Sequence, residues 1–317
     1  MLGKKFRKFP HSIEDRRHII IEEHPRVPAF STPREQPQII EEVPEVQEVK
    51  VIAPPPKKQS TKIAQQAVVH PKAELDEGVE VGPFTVIEAG VKIGKNTKIA
   101  SHVLIATGTT IGEGCQIGHG AVLGTLPQYL GFNPQEKTTL EIGNNTTIRE
   151  YCTLNRGTEH RQRTVVGSDC FLMAYVHVAH DCIIGNRVIL ANAINMAGHV
   201  VIEDFVGIGG MVPIHQFVRI GCYSFIGGGY RVAKDVPPYI LASGEPLTFA
   251  GLNIVGLKRR GFQADVLAQL KRAYRIIYRE HLNVSQAVKR IKSELKPTKE
   301  VHSIVEFIES SERGIIK

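Results

Sequence analysis

From Val166 to Val232 a large aliphatic residue recurs at every sixth position without a break: Val166, Leu172, Val178, Ile184, Leu190, Met196, Ile202, Ile208, Ile214, Ile220, Ile226 and Val232. A conventional core is assembled from scattered segments and imposes no such period. A strict short repeat specifies a stack of like units, each burying its apolar face against the next. The same spacing runs earlier, through Ile63, Val69, Leu75, Val81, Ile87, Ile93, Ile99, Ile105, Ile111, Ile117 and Leu123. Two residues before each of these stands a small or β-branched one, such as Thr85, Val91, Thr97, Val103 and Cys115. Residues two apart share a face of a strand, so both point inward. Glycine often follows the aliphatic, as at Gly82, Gly94, Gly112 and Gly118, where the chain must turn. Each hexad is then one short strand and one corner, the pattern of a parallel β-helix. The absence of tryptophan and the 29 glycines suit such a fold better than a helical bundle.

The repeat sets the domain organisation. Residues 1–60 lie before it and hold half of the 18 prolines, a basic start (Lys4, Lys5, Arg7, Lys8) and a later acidic run. That composition cannot bury enough apolar surface to fold, so a disordered Pro-rich tail is expected. Residues 61–250 carry the β-helix. The period breaks at Asp235-Val-Pro-Pro238, because proline cannot continue a paired strand. Helical spacing follows in three segments, marked by Val266, Leu267, Leu270, Tyr274 and Ile277, then Val284, Val288, Ile291 and Leu295, then Val301, Ile304, Val305 and Ile308. The predicted fold class is therefore an all-β solenoid followed by a small α-helical C-terminal domain at 251–317.

Two excursions leave the hexad register, Thr125–Thr138 and Thr158–Arg163, and loops ejected from a rigid scaffold are common places for binding residues. Four of the five cysteines, Cys115, Cys152, Cys170 and Cys182, occupy the small inward position, which reads as core packing rather than disulfide or zinc ligation and fits a reducing compartment. No apolar run approaches the ~18 residues of a membrane span, and the N-terminus lacks the apolar region of a secretory signal. A formal charge of +7 favours anionic partners such as phosphorylated ligands or acidic proteins.

Four histidines fall within the unbroken repeat: His177, His180, His199 and His215. If three hexads make one coil, residues eighteen apart stack, and Val178, Met196 and Ile214 line one side in successive coils. The histidines beside them then converge on one wall, spread over about 10 Å at a coil spacing of about 4.8 Å. Such a cluster could supply a general base for a hydroxyl, hold Zn²⁺ as neutral imidazoles, or bind phosphate and sugar hydroxyls. Asp181 could orient His180 only if a corner lies between them, since neighbours in a straight strand point apart. Gly198 has no side chain to obstruct its N–H from a developing oxyanion, which favours acyl transfer over metal chemistry.

The segments His177-Val-Ala-His180-Asp181-Cys, Ala197-Gly198-His199, Ile214-His215-Gln216-Phe217, Asp235-Val-Pro-Pro-Tyr239 and Gly256-Leu-Lys-Arg-Arg-Gly-Phe262 together closely resemble the UDP-N-acetylglucosamine O-acyltransferase family of lipid A synthesis. The likeness runs in order over about residues 61–317. It implies a left-handed parallel β-helix that assembles as a homotrimer in the cytoplasm, with active sites between subunits. The implied reaction moves an (R)-3-hydroxyacyl chain from acyl carrier protein to the 3-hydroxyl of UDP-GlcNAc, without metal or cofactor and without a nucleic-acid partner. On that template His180 resembles the general base, Asp181 its orienting partner and Gly198 the oxyanion donor. His177, His199 and His215 match positions lining the substrate site. Gln128, Gln216, Asn253, Arg259 and Arg260 fall where sugar-nucleotide or carrier contacts are expected. Gly228 matches the end of the acyl groove, where glycine admits a long chain. The chain departs from the family at Gln128-Tyr129-Leu130-Gly131, where Gln-Asp-Leu-Lys is usual, and at Val255, where a glutamate is usual. The lost charges point to a different UDP-amino sugar, or a different way of holding it, as the alternative. A zinc hydratase of the γ-carbonic-anhydrase kind and a non-catalytic scaffold are the remaining readings.

Overall fold

A computed structural model describes residues 60–317, and the expected disordered tail lies outside them apart from Ser60. Two-residue strands alternate with two-residue turns, and every third strand falls in the same sheet, giving parallel walls of eleven, eight and eight strands that form a left-handed β-helix. Eleven counts an antiparallel strand added at the C-terminal end of one wall.

Pairing between coils sets the eighteen-residue stack. Val178 lies beside Met196 and Met196 beside Ile214, as the spacing predicts. The excursions leave the wall intact: Ile111 pairs with Ile142 and Leu154 with Val178, so the extra residues are expelled at corners. In each hexad the aliphatic and the small residue two before it point inward. Val91, Ile93, Val103, Ile105, Val188 and Leu190 are all buried. The residue between them faces out, as Lys92 and Lys98 do. The inward cysteines behave as small hydrophobes. Burial pushes the Cys152 thiol up to about 11 and the Cys182 thiol up to about 12, which leaves both unreactive.

The corners are less ordinary. Their second residue repeatedly takes a left-handed conformation, as at Asn96 (φ 58°), Asp169 (57°), Asp181 (61°), His199 (63°) and Phe217 (65°). For an L-residue this costs roughly 1–2 kcal/mol. A hydrogen bond to the coil before offsets it: the N–H of His199 donates to the His180 carbonyl (3.1 Å), and that of Phe217 to the Gly198 carbonyl (3.2 Å). Corner residues of successive coils therefore sit directly above one another.

The solenoid continues past the point where the hexads fade. Val232 and Val236 still bridge to Ile214 and Ile220, and Ile240–Ser243 pairs in parallel with Phe225–Ile226. Thr248–Leu252 then returns antiparallel to Ile240–Ser243. Four helices follow: α1 (Ile254–Arg259), α2 (Ala264–Arg279), α3 (Val284–Glu294) and α4 (Lys299–Glu309). The last three match the helical spacings. Helix α1 and the hairpin escaped them, because α1 is only six residues long and buries Leu257 alone. The hydroxyl of Tyr274 on α2 donates to the Pro238 carbonyl and fastens the helices to the end of the solenoid. Among the described residues no helix is long and apolar enough to cross a membrane.

Leu190 is fully buried midway up the stack. Leu190→Ala should cost about 2–5 kcal/mol, read as a lower denaturation midpoint in chemical unfolding.

Candidate active site

The strand His177–Val178 ends in the corner that holds His180 and Asp181. Because Asp181 is left-handed, consecutive side chains meet instead of pointing apart, and the His180 Nδ1 lies 2.8 Å from Asp181 Oδ2. The corner that the pairing required is present. Asp181 is wholly buried, which would raise its carboxyl. Hydrogen bonds from His180 and from the Thr158 hydroxyl and N–H outweigh burial and hold it at about 2. An ionised carboxylate only accepts, so Nδ1 carries the proton and donates. The Nε2 lone pair of His180 is then free to take a proton from a substrate hydroxyl.

One coil further on, Gly198 passes against that imidazole. A Cβ on Gly198 would stand 2.6 Å from Cε1 and 2.8 Å from Nε2 of His180, so no larger residue fits without moving the ring. Among the described residues the Gly198 N–H has no hydrogen-bond partner. A donor without a partner beside an imidazole nitrogen with a free lone pair is an arrangement that can serve attack on an acyl carbonyl.

His199 completes the cluster. Its ring stacks on Phe217 (centroids 4.5 Å apart) and meets the rings of His180 (5.0 Å) and His160 (4.7 Å) edge-on. Burial lowers its pKa and favours the neutral imidazole, with Asp181 pulling the other way. Its Nε2 is 3.7 Å from Asp181 Oδ2, while its buried Nδ1 has no partner among the described residues.

The other site residues lie further out. His177 is half-buried with Nδ1 2.7 Å from Thr153 Oγ1, and His215 is exposed with Nδ1 donating to the Gln216 carbonyl (3.1 Å). Both line the expected wall, but neither stacks on His180 or His199. Gln128 is exposed on the first excursion, and its neighbour Tyr129 lies 5.9 Å from the His180 ring. Asn253 caps α1, accepting from the Gly256 N–H and donating to the Tyr223 carbonyl. Arg259 is exposed, and Arg260 covers the Phe205 ring at 4.5 Å. Gly228 is exposed, and a Cβ there would approach the Gly210 carbonyl to 3.1 Å.

Sequence reasoning missed Thr158, His160, Arg161 and Thr164. They come from the second excursion and its end, where the register break marked the loop but not the place its side chains reach.

The ligand atoms of His180, Asp181 and His199 lie within 4.8 Å of one another, close enough for a metal ion. The hydrogen bonds favour another use. Oδ1 accepts from the Thr158 N–H, and Oδ2 from the Thr158 hydroxyl and from His180 Nδ1–H. A cation would compete with these protons, whereas as it stands the carboxylate holds the His180 ring through its Nδ1–H.

Comparison with known proteins places this geometry in context. Residues 235–316 match the family described as UDP N-acetylglucosamine O-acyltransferase, domain 2, and residues 90–125 and 163–192 match the bacterial transferase hexapeptide repeat. The chain is 55% identical over 199 residues to the acyl-[acyl-carrier-protein]–UDP-N-acetylglucosamine O-acyltransferase of Aquifex aeolicus, covering 62% of this chain and 76% of that one. The corresponding protein of Sulfurihydrogenibium is 52% identical, over 62% of this chain and 72% of its own. Among solved structures, the UDP-N-acetylglucosamine acyltransferase of Bacteroides fragilis superposes with a TM-score of 0.79 at 45% identity, over 80% of this chain and all of that one.

Two outcomes follow from the geometry. Gly198→Ala should displace the His180 ring and lower kcat by about 100-fold or more, with the thermal midpoint little changed. Asp181, held at about 2, contributes stability that is complete above its unfolded value of about 4 and is lost as pH falls through the folded value. Unfolding free energies of wild type and Asp181→Asn, from chemical denaturation, should therefore converge between about pH 4 and pH 2, by on the order of 2 kcal/mol.

Proposed function

The chain belongs to the UDP-N-acetylglucosamine O-acyltransferase family, and from that membership we propose that it transfers an (R)-3-hydroxyacyl chain from acyl carrier protein to the 3-hydroxyl of UDP-GlcNAc, with His180 as general base. Acyl transfer to a UDP-GlcNAc-type sugar, in a lipid A-type pathway, is the activity of the family. The observation that carries the finer reading is the pairing of His180 with the buried Asp181 carboxylate beside the unpartnered Gly198 N–H. His180 Nε2 removes the proton of the sugar hydroxyl as its oxygen bonds to the thioester carbonyl carbon. The carbonyl oxygen takes up the negative charge against the Gly198 N–H. Collapse of the tetrahedral adduct breaks the carbon–sulfur bond, and the proton on His180 passes to the departing thiolate. Asp181 stays ionised throughout and stabilises the transient imidazolium.

The remaining site residues fit a homotrimer with sites shared between copies. His177 and His215 lie outside the contacts of the His180 cluster within one chain, on the same wall of the solenoid, where a second copy would bring other such residues opposite. His199, Gln128 and Gln216 line the sugar end. Asn253, by capping α1, sets the direction in which Arg259 and Arg260 present charge to the sugar nucleotide or to an acidic carrier protein. Gly228 leaves the far end of the acyl groove open. Carrier protein and UDP-sugar as substrates fit a cytoplasmic enzyme that needs no metal or cofactor. Tyr129, standing over His180 where the family has an acid, favours a second reading with a different UDP-amino sugar as acceptor.

Incubation with acyl carrier proteins of several chain lengths and a panel of UDP-amino sugars, with products read by mass, decides between these. His180→Ala should lose about 10²–10⁴-fold in rate; a fully active variant would overturn the base assignment.

A further inference from the structure

We infer that Thr158, carried into the site by the second excursion, is a positioning residue that assigns the Asp181 carboxylate to His180 rather than to His199. The inference rests on the reading of His180 as the base. The Asp181 backbone is fixed without Thr158: its N–H donates to Thr164 Oγ1 (2.9 Å) and its carbonyl accepts from Arg161 Nη1 (3.0 Å). Those bonds leave the carboxylate free to turn about its own side-chain torsions. Two imidazoles compete for it, since Oδ2 is 2.8 Å from His180 Nδ1 and 3.7 Å from His199 Nε2.

Thr158 grips both oxygens. Its N–H donates to Oδ1 at 3.0 Å and its hydroxyl to Oδ2 at 2.6 Å. A two-point contact of this kind fixes the plane of a carboxylate as well as its position. The plane it fixes puts Oδ2 against His180 Nδ1. Thr158 is itself buried, and so is Asp181, so no bulk water is at hand to replace a lost hydroxyl. Without that hydroxyl, a turn of the carboxylate toward His199 would leave His180 without the acceptor that holds its tautomer and ring orientation. Thr158 touches no reacting atom and acts only through Asp181.

The test uses the full-length chain and two substitutions. Thr158→Val keeps the shape and the backbone N–H and removes only the hydroxyl, while Thr158→Ser keeps the hydroxyl. Outer partners that orient metal-ligating histidines are typically worth about 10–100-fold; by analogy Thr158→Val should lose that much in kcat with little change in either KM, and Thr158→Ser should stay near wild type. A Thr158→Val enzyme with wild-type kcat, a loss confined to KM, or a Thr158→Ser enzyme as impaired as the valine variant would each overturn the inference. A second readout needs no turnover: the low-field proton resonance of His180 Nδ1, assigned by its loss in His180→Gln. It should persist in Thr158→Ser and shift or vanish in Thr158→Val, or in Thr158→Ala if the valine variant does not fold. An unchanged resonance in the valine or alanine variant overturns the clamp whatever the substrate proves to be, so the clamp and the acyl-transfer reading fail separately.

Discussion

Everything in this protein hangs on the parallel pairing of one coil with the next. A two-residue strand has almost no stability by itself. It persists because its backbone groups bond to the coils on either side while its inward side chains join a core that runs the length of the stack. That pairing accepts only one register, since a slip of one residue would turn the core aliphatics outward and the lysines inward. Val178, Met196 and Ile214 are therefore held in line. The same constraint brings Gly198 against the imidazole of His180, although eighteen positions separate them in the chain.

The corners turn this architectural order into chemistry. Within the walls, outward residues alternate regularly with inward ones and offer no way for consecutive side chains to meet. At the corner the left-handed conformation of Asp181 folds its carboxylate back onto His180, and the matching conformation of His199 brings a second imidazole within reach of the same oxygen. The strain of the His199 and Phe217 corners is met by a backbone hydrogen bond to the coil beside them, and that of Asp181 by a bond from its N–H to the Thr164 hydroxyl. The geometry of the cluster is thus tied to the coils and to the loop that Thr158 brings in, and the electrostatics follow: a buried carboxylate remains ionised because enough donors converge on it.

The legibility of the sequence divides along the same line. A strict period and its multiple of eighteen disclosed the walls, the inward cysteines and the stacking of Val178, Met196 and Ile214, since those depend on repetition alone. The need for a corner between His180 and Asp181 could be stated in advance, because alternation forbids the contact otherwise. Thr158, His160 and Arg161 could not be placed. They lie in a segment that breaks the period, and a break shows where a loop leaves the wall but not where its side chains arrive. Helix α1 was hidden for a related reason, being too short to display a helical period. Asn253, expected to contact a sugar nucleotide or the carrier, spends its amide on capping that helix and on the Tyr223 carbonyl, which local sequence did not betray.

His180 and Asp181 are consecutive residues, whereas of the groups around them Thr158 and Tyr129 come from expelled loops and Gly198 and His199 from the next coil. Enzymes that draw such a pair from distant segments must keep two pieces of chain in mutual alignment through every insertion and deletion. Here a single dipeptide at one corner carries the pair wherever the coil goes. The Gln128–Gly131 loop leaves the wall at a different excursion, so a change in it leaves the backbone of the pair in place. The loop whose Tyr129 lies near His180 and the corner that holds His180 are different kinds of backbone, and one can change without the other.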